Sequence, residues 1–148
     1  MAIALPPDFK EFLSLLNAND VRYLLIGGYA VAYHGYPRAT GDMDIWLYVH
    51  PDNAKRVVTA LRQFGFSTPE LSENLFLQEK SLVRMGMPPL KVELTTFIDG
   101  VLFDECYAKR VVDFIDGIEV SLISLEHLKI NKQASGRFKD LNDLEHLP

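Results

Sequence analysis

The run Asp42-Met43-Asp44-Ile45-Trp46-Leu47-Tyr48-Val49 constrains this chain more than any other. It alternates, and successive side chains of a strand point to opposite faces. Met43, Ile45, Leu47 and Val49 therefore form an aliphatic face, and Asp42, Asp44, Trp46 and Tyr48 form the other. Asp42 and Asp44 stand about 6.5–7 Å apart at the Cα level, at about 3.3 Å rise per residue. Two carboxylates that close raise each other's pKa unless a cation lies between them. Asp is also disfavoured in strands. A strand that breaks its propensity twice on one face has a functional reason to do so.

The approach to this strand is equally marked. Tyr23-Leu24-Leu25-Ile26 is an apolar run that breaks at Gly27-Gly28. A short apolar helical segment follows, from Tyr29 to about His34, and then the turn-rich stretch HGYPRATG. Strand, glycine turn, helix and acidic strand thus follow one another within Tyr23–Val49.

Composition narrows the class. A chain of 148 residues, 48% of them hydrophobic, fits one domain spanning 1–148 with a real core. The net charge of −5 argues against general coating of nucleic acid. Cys106 is the single cysteine, which excludes an internal disulfide framework and points to a reducing, cytoplasmic setting. No Cys/His metal spacing surrounds it, so it reads as a small packed residue. The start MAIALPPDFK lacks a basic region and a long apolar stretch, so no secretory leader is expected. No apolar run approaches the roughly 20 residues of a membrane span, so no membrane partner is expected.

In order, the chain reads as alternating helix and strand. Phe9, Phe12, Leu13 and Leu16 mark one helix face, with Asp8 and Glu11 spaced as a capping box behind Pro6-Pro7. Arg22–Ile26 is the first strand and Asp42–Val49 the second. Pro51-Asp52 opens a helix with a Val57, Val58, Leu61, Phe64 stripe, ended by Gly65. Pro69–Gln78 reads as a short helix or a loop, Lys80–Met85 as an edge strand, and Pro88-Pro89 as punctuation. Leu90–Thr96 is a strand with Val92 and Leu94 inward and Lys91, Glu93 and Thr95 on the other face. A short helix over Leu102–Lys109 precedes a hairpin, Val111–Ile115 and Ile118–Leu122 about Asp116-Gly117. Ser124 caps a helix running toward Gly136, and a last short helix follows Lys139. The pattern predicts an α/β (α+β) domain with a mixed sheet and flanking helices.

Gly27-Gly28, His34-Gly35, Arg38, Thr40, Asp42 and Asp44 together resemble the core of the nucleotidyltransferase superfamily, the DNA-polymerase-beta-like fold. The second block is Ile123-Ser124-Leu125-Glu126, Leu128, Lys132, Arg137, Lys139-Asp140 and Asp143-Leu144. It resembles the C-terminal segment of a small stand-alone bacterial branch related to abortive-infection and toxin–antitoxin nucleotidyltransferases. The blocks span most of the chain, the middle third matching only loosely.

The resemblance implies transfer of a nucleoside monophosphate from a nucleoside triphosphate to an acceptor. Charge then builds on attacking and leaving oxygens, and two Mg²⁺ ions about 3.5–4 Å apart neutralise both ends. Asp42 and Asp44 would bridge the metals. Glu93, where the family usually has Asp, would complete the set or take the acceptor's proton. Gly27-Gly28 would let backbone approach a phosphate, although the family more often shows Gly-Ser there. Arg38 would hold a phosphate or orient Asp42, and is otherwise a surface arginine. Lys132 would point at the nucleotide phosphates, and is otherwise on a solvated helix face.

Several positions keep two readings. Thr40 reads as a local turn cap, and His34 as a helix-end or catalytic residue. Trp46 and Tyr48 stack on a base or cover the open sheet face. Asp140 and Asp143 read as caps or salt-bridge partners. Function likewise keeps three: an Mg²⁺-dependent nucleotidyltransferase acting on a protein, tRNA or small-molecule acceptor, a non-catalytic nucleotide-binding or antitoxin-like module beside a partner protein, and another metal-dependent hydrolase or phosphoryl-transfer enzyme.

Overall fold

The structure, a computed structural model, describes residues 3–87 and 90–148. Pro88-Pro89 and the first two residues of the N-terminal stretch lie outside the described residues. Tyr23–Ile26 (β1) and Asp42–Leu47 (β2) pair antiparallel at the centre of a six-stranded sheet. Leu90–Thr95 (β4) lies parallel to β2, and Leu82–Met87 (β3) closes that edge antiparallel to β4. On the other side Ile118–Leu122 (β6) runs parallel to β1, with Val111–Ile115 (β5) as its hairpin partner at the second edge. The order is β3-β4-β2-β1-β6-β5, a mixed sheet as the sequence predicts.

Helices cover both faces. Pro7–Ala18 (α1) and Pro51–Phe64 (α3) bury Phe9, Phe12, Leu13, Leu16, Val57 and Leu61 against Met43, Ile45, Leu47 and Leu94. Gly27–Tyr33 (α2) follows β1 directly. Phe103–Ala108 (α4), Leu125–Ser135 (α5) and Phe138–His146 (α6) follow, with Cys106 and Leu128 on the opposite face against Leu24, Ile26 and Trp46. All four β1 residues are buried, because both sides of that strand are covered. No helix among the described residues is long and apolar enough to cross a membrane.

Local signals explain most boundaries. Ser124 accepts from the His127 N–H and starts α5, while Gly136 in the left-handed region (φ 66°) ends it. Gly65 ends α3 in the same manner. The Asp116-Gly117 hairpin forms as predicted. Two expectations are corrected and one open choice is resolved. Pro6 stands at the N-cap of α1 with no side-chain cap, so Asp8 and Glu11 form no capping box. The second strand stops at Leu47, and Val49 is exposed rather than part of the aliphatic face. Pro69–Gln78 contains only one 3-10 turn, Glu73–Phe76, pinned by buried Phe76.

Candidate active site

The carboxylates gather where β1 hands over to α2. Ile26 is in register with Asp44, and Asp44 in turn with Glu93 of β4. Gly27 therefore lies directly against the Asp44 side chain. A Cβ at Gly27 would fall 2.1 Å from Asp44 Oδ2, and Gly27 has φ +68°. Glycine is required there on both counts. At Gly28 a Cβ would meet Thr40 Oγ1 at 2.6 Å. Thr40 itself donates to the Asp42 carbonyl at 3.1 Å, acting as a local turn cap.

Parallel pairing of β2 and β4 forces Asp44 and Glu93 together. Burial is the main cause that pushes the Asp44 carboxyl up to about 7, followed by the hydrogen bond and charge of Glu93 and the charge of Asp42. The Lys139 ammonium pulls the other way, and the Arg137 guanidinium also feels the Asp44 charge. Asp42 is half-buried and pairs in register with Lys91. Arg84 of β3 faces Glu93 in register and donates from Nε to Oε1 at 3.0 Å. Nothing in the sequence pattern singled out Arg84; only the strand register brings it to Glu93.

The two C-terminal helices supply the basic side of the cleft differently from the sequence expectation. Lys132 is neither solvated nor extended past the core. It is 5% exposed, with Nζ 3.0 Å from Asp140 Oδ1 and 3.1 Å from Asp143 Oδ2. Arg38 makes a bidentate pair with Asp143 (Nε–Oδ1 2.8 Å, NH2–Oδ2 3.0 Å), not with Asp42. Arg137 Nε and Ser135 Oγ donate to Asp140 Oδ2 at 2.8 and 2.6 Å. Burial alone would raise Asp140, but hydrogen bonds from Arg137, Ser135 and Lys132 outweigh it and hold the carboxyl well below the usual range. Asp143 is likewise lowered against its burial, by Arg38 and Lys132. Asp140 and Asp143 are thus salt-bridge partners. Exposed Lys139 makes no ion pair among the described residues, and its charge acts on Asp44.

A cleft of about 360 Å³ opens beside this cluster, lined by Gly27, Thr95, Phe97, Asn131, Lys132 and Arg137 among others. Trp46, on the carboxylate side of β2, is 2% exposed and T-shaped against Phe103. It covers the sheet face. Tyr48 stacks on the other side of Phe103 at 5.4 Å. His34 caps the end of α2, and its Nε2 lies 2.7 Å from the Ile123 carbonyl oxygen.

The donor chemistry suits a hard cation. Asp44 and Glu93 offer only oxygen, and their enforced proximity is a repulsion that a divalent ion would relieve. Among the described residues no three His, Cys, Asp or Glu side chains converge closely enough to hold a metal ion, so Asp42 does not join Asp44 and Glu93 at one metal position. The site is open, so phosphate oxygens and water would have to fill the remaining positions.

Antiparallel β1–β2 joined through a glycine-turned helix, with β4 parallel to β2 and carboxylates in register across them, defines a nucleotidyltransferase-like fold. No protein-family model matches the chain, and no curated protein sequence does. Among solved structures it is similar to a Thermotoga maritima protein assigned as a nucleotidyltransferase, with TM-score 0.59 and 18% identity over 93% of this chain and 86% of that one. It is also similar to an antigenic nucleotidyltransferase-like protein from Paracoccidioides brasiliensis, with TM-score 0.54 and 20% identity over 93% of this chain and 72% of that one. At such identities the likeness is one of fold.

Proposed function

We propose that this protein is a metal-dependent nucleotidyltransferase that moves a nucleoside monophosphate from a nucleoside triphosphate to an acceptor. The observation that carries the reading is the half-buried Asp44–Glu93 pair, in register on adjacent strands, with Asp44 against a glycine that has no room for a side chain. An acceptor oxygen attacks the α-phosphorus, the bond to the β-phosphate oxygen breaks, and pyrophosphate leaves. Mg²⁺ would be held by Asp44 and Glu93 together with phosphate oxygens, with Asp42 drawn in to complete the set, and would neutralise the charge developing on attacking and leaving oxygens. Gly27, which lines the cleft, would present backbone to the phosphates, while buried Gly28 makes room for Thr40. Lys139 supplies a cation on the same side, while Lys132 and Arg38 act indirectly by fixing α6. Glu93 would accept the acceptor's proton.

One observation favours a second reading. Arg84 occupies one oxygen of Glu93, as expected of a nucleotide-binding module that has lost turnover, antitoxin-like beside a partner protein. The test is incubation with each labelled nucleoside triphosphate, Mg²⁺ and cell extract. Transfer predicts a labelled acceptor with wild type and none with Asp44→Asn. Saturable triphosphate binding with no label on any acceptor supports the second reading.

A further inference from the structure

The opposite end of the sheet carries a second polar cleft that the transfer chemistry does not use. Arg22 precedes β1 and Tyr48 follows β2, in the antiparallel pair whose other end holds Gly27 and Asp44. Five residue steps from Arg22 to Gly27 separate the two ends by about 16 Å. Two adjoining hollows, of about 230 and 610 Å³, share Arg22 and Arg56. The smaller is bounded by Tyr48 and His50, the larger by Tyr107 and Arg110.

This cleft is held in shape from beneath. Asn53, 2% exposed, accepts from the Arg22 N–H at 2.8 Å and donates to the Arg22 and Tyr48 carbonyls at 3.1 and 2.9 Å. One buried amide thus fixes both strand ends. The Arg22 guanidinium lies 5.7 Å from the Tyr48 ring centroid and 5.8 Å from that of Tyr107. Arg110 stacks on Tyr107 at 3.9 Å and donates from NH1 to the Tyr107 carbonyl, while its buried Nε has no hydrogen-bond partner. A guanidinium backed by a ring offers its N–H edge, the geometry that grips a phosphate with paired bonds.

The arginines are also free of ion pairs among the described residues. Asp20, Asp52 and Glu119 line the hollows, yet among the described residues no carboxylate forms an ion pair with Arg22, Arg56 or Arg110. Three arginines and three carboxylates make the lining formally neutral, so what favours phosphate is the ring-backed guanidinium edges free of ion pairs, rather than net charge.

We infer that this cleft is a phosphate-binding site separate from the carboxylate site, with Arg22 and Arg56 shared between two phosphate groups of one ligand. Those groups come from a free polyphosphate or from the backbone of single-stranded RNA. The inference does not depend on the transfer reaction. It is tested in EDTA, which silences any metal-dependent binding at the carboxylates, by titrating tripolyphosphate calorimetrically and a labelled 12-nucleotide single-stranded RNA by anisotropy. Saturable binding of either is expected, weakened about ten-fold or more by Arg22→Gln and by Arg56→Gln, as for loss of one charge-assisted contact. Both side chains are exposed, so both variants should melt with wild type. Asp44→Asn should bind as wild type does. Tripolyphosphate binding identifies a free polyphosphate ligand, and RNA binding without it identifies a strand. No saturable binding of either probe, equal binding by the arginine variants and wild type, or a loss with Asp44→Asn as large as with Arg22→Gln would each overturn the assignment.

Discussion

Gly27 and Asp44 share space that admits only one of two side chains. The left-handed backbone at Gly27 costs a residue with a Cβ about 1–3 kcal/mol, and the 2.1 Å approach to Asp44 Oδ2 adds a clash. Gly27→Ala should therefore destabilise by more than the backbone cost alone. In an Asp44→Gly background the same substitution should lose only the backbone part, because the Oδ2, Cγ and Cβ that a methyl at Gly27 would meet at 2.1, 2.8 and 2.9 Å are all gone. A double-mutant cycle by urea denaturation measures the difference. Additive losses would mean that Asp44 does not rest on Gly27.

Between elements, the decisive contact is the one that locks α6 onto α5. Lys132 on α5 sits between Asp140 and Asp143 on α6, and Arg38, from the segment before β2, holds Asp143 from outside. The lock sets where Arg137 and Lys139, at the start of α6, point their charges. Removing one partner of a buried ion pair typically costs about 3–5 kcal/mol, because the remaining charges stay buried. Lys132→Met should lower the denaturation midpoint accordingly. Lys139→Ala should leave the midpoint unchanged and raise the apparent KM for triphosphate. The reverse pattern, a stable Lys132→Met with weakened nucleotide binding, would return Lys132 to direct phosphate contact.

For the whole molecule, the buried carboxylates act in opposite directions with pH. Asp44, raised to about 7, is destabilising when ionised, so its protonation adds stability as pH falls from about 7 toward the ordinary carboxylate value of about 3.9. Asp140 and Asp143 are depressed, so they stabilise above about pH 3.9 and lose that contribution as pH falls through their folded values. In EDTA the melting temperature should rise from pH 8 to pH 5 and fall again below about pH 4. Asp44→Asn should abolish the rise and keep the fall. A wild-type curve flat between pH 8 and 5 would mean that neither burial nor Glu93 raises Asp44.

The sequence by itself determined the elements and the acidic strand. Alternation, helical stripes, Gly65, Gly136 and Asp116-Gly117 are local signals, and local sterics and hydrogen bonding suffice to read them. That Asp42 and Asp44 share a face also follows from strand geometry alone. Partners across strands and helices did not follow. Arg84 reaches Glu93 only because β3 and β4 pair in one register, and the Asn53 clamp exists only because α3 starts beneath the ends of β1 and β2. Lys132 shows the difference most sharply. Its place on the inner side of α5 was legible from Leu128, yet whether an inward lysine meets solvent, phosphate or carboxylate depends on what packs opposite. Only the tertiary structure brought Asp140 and Asp143 there, because a buried charge needs partners that no local rule can supply.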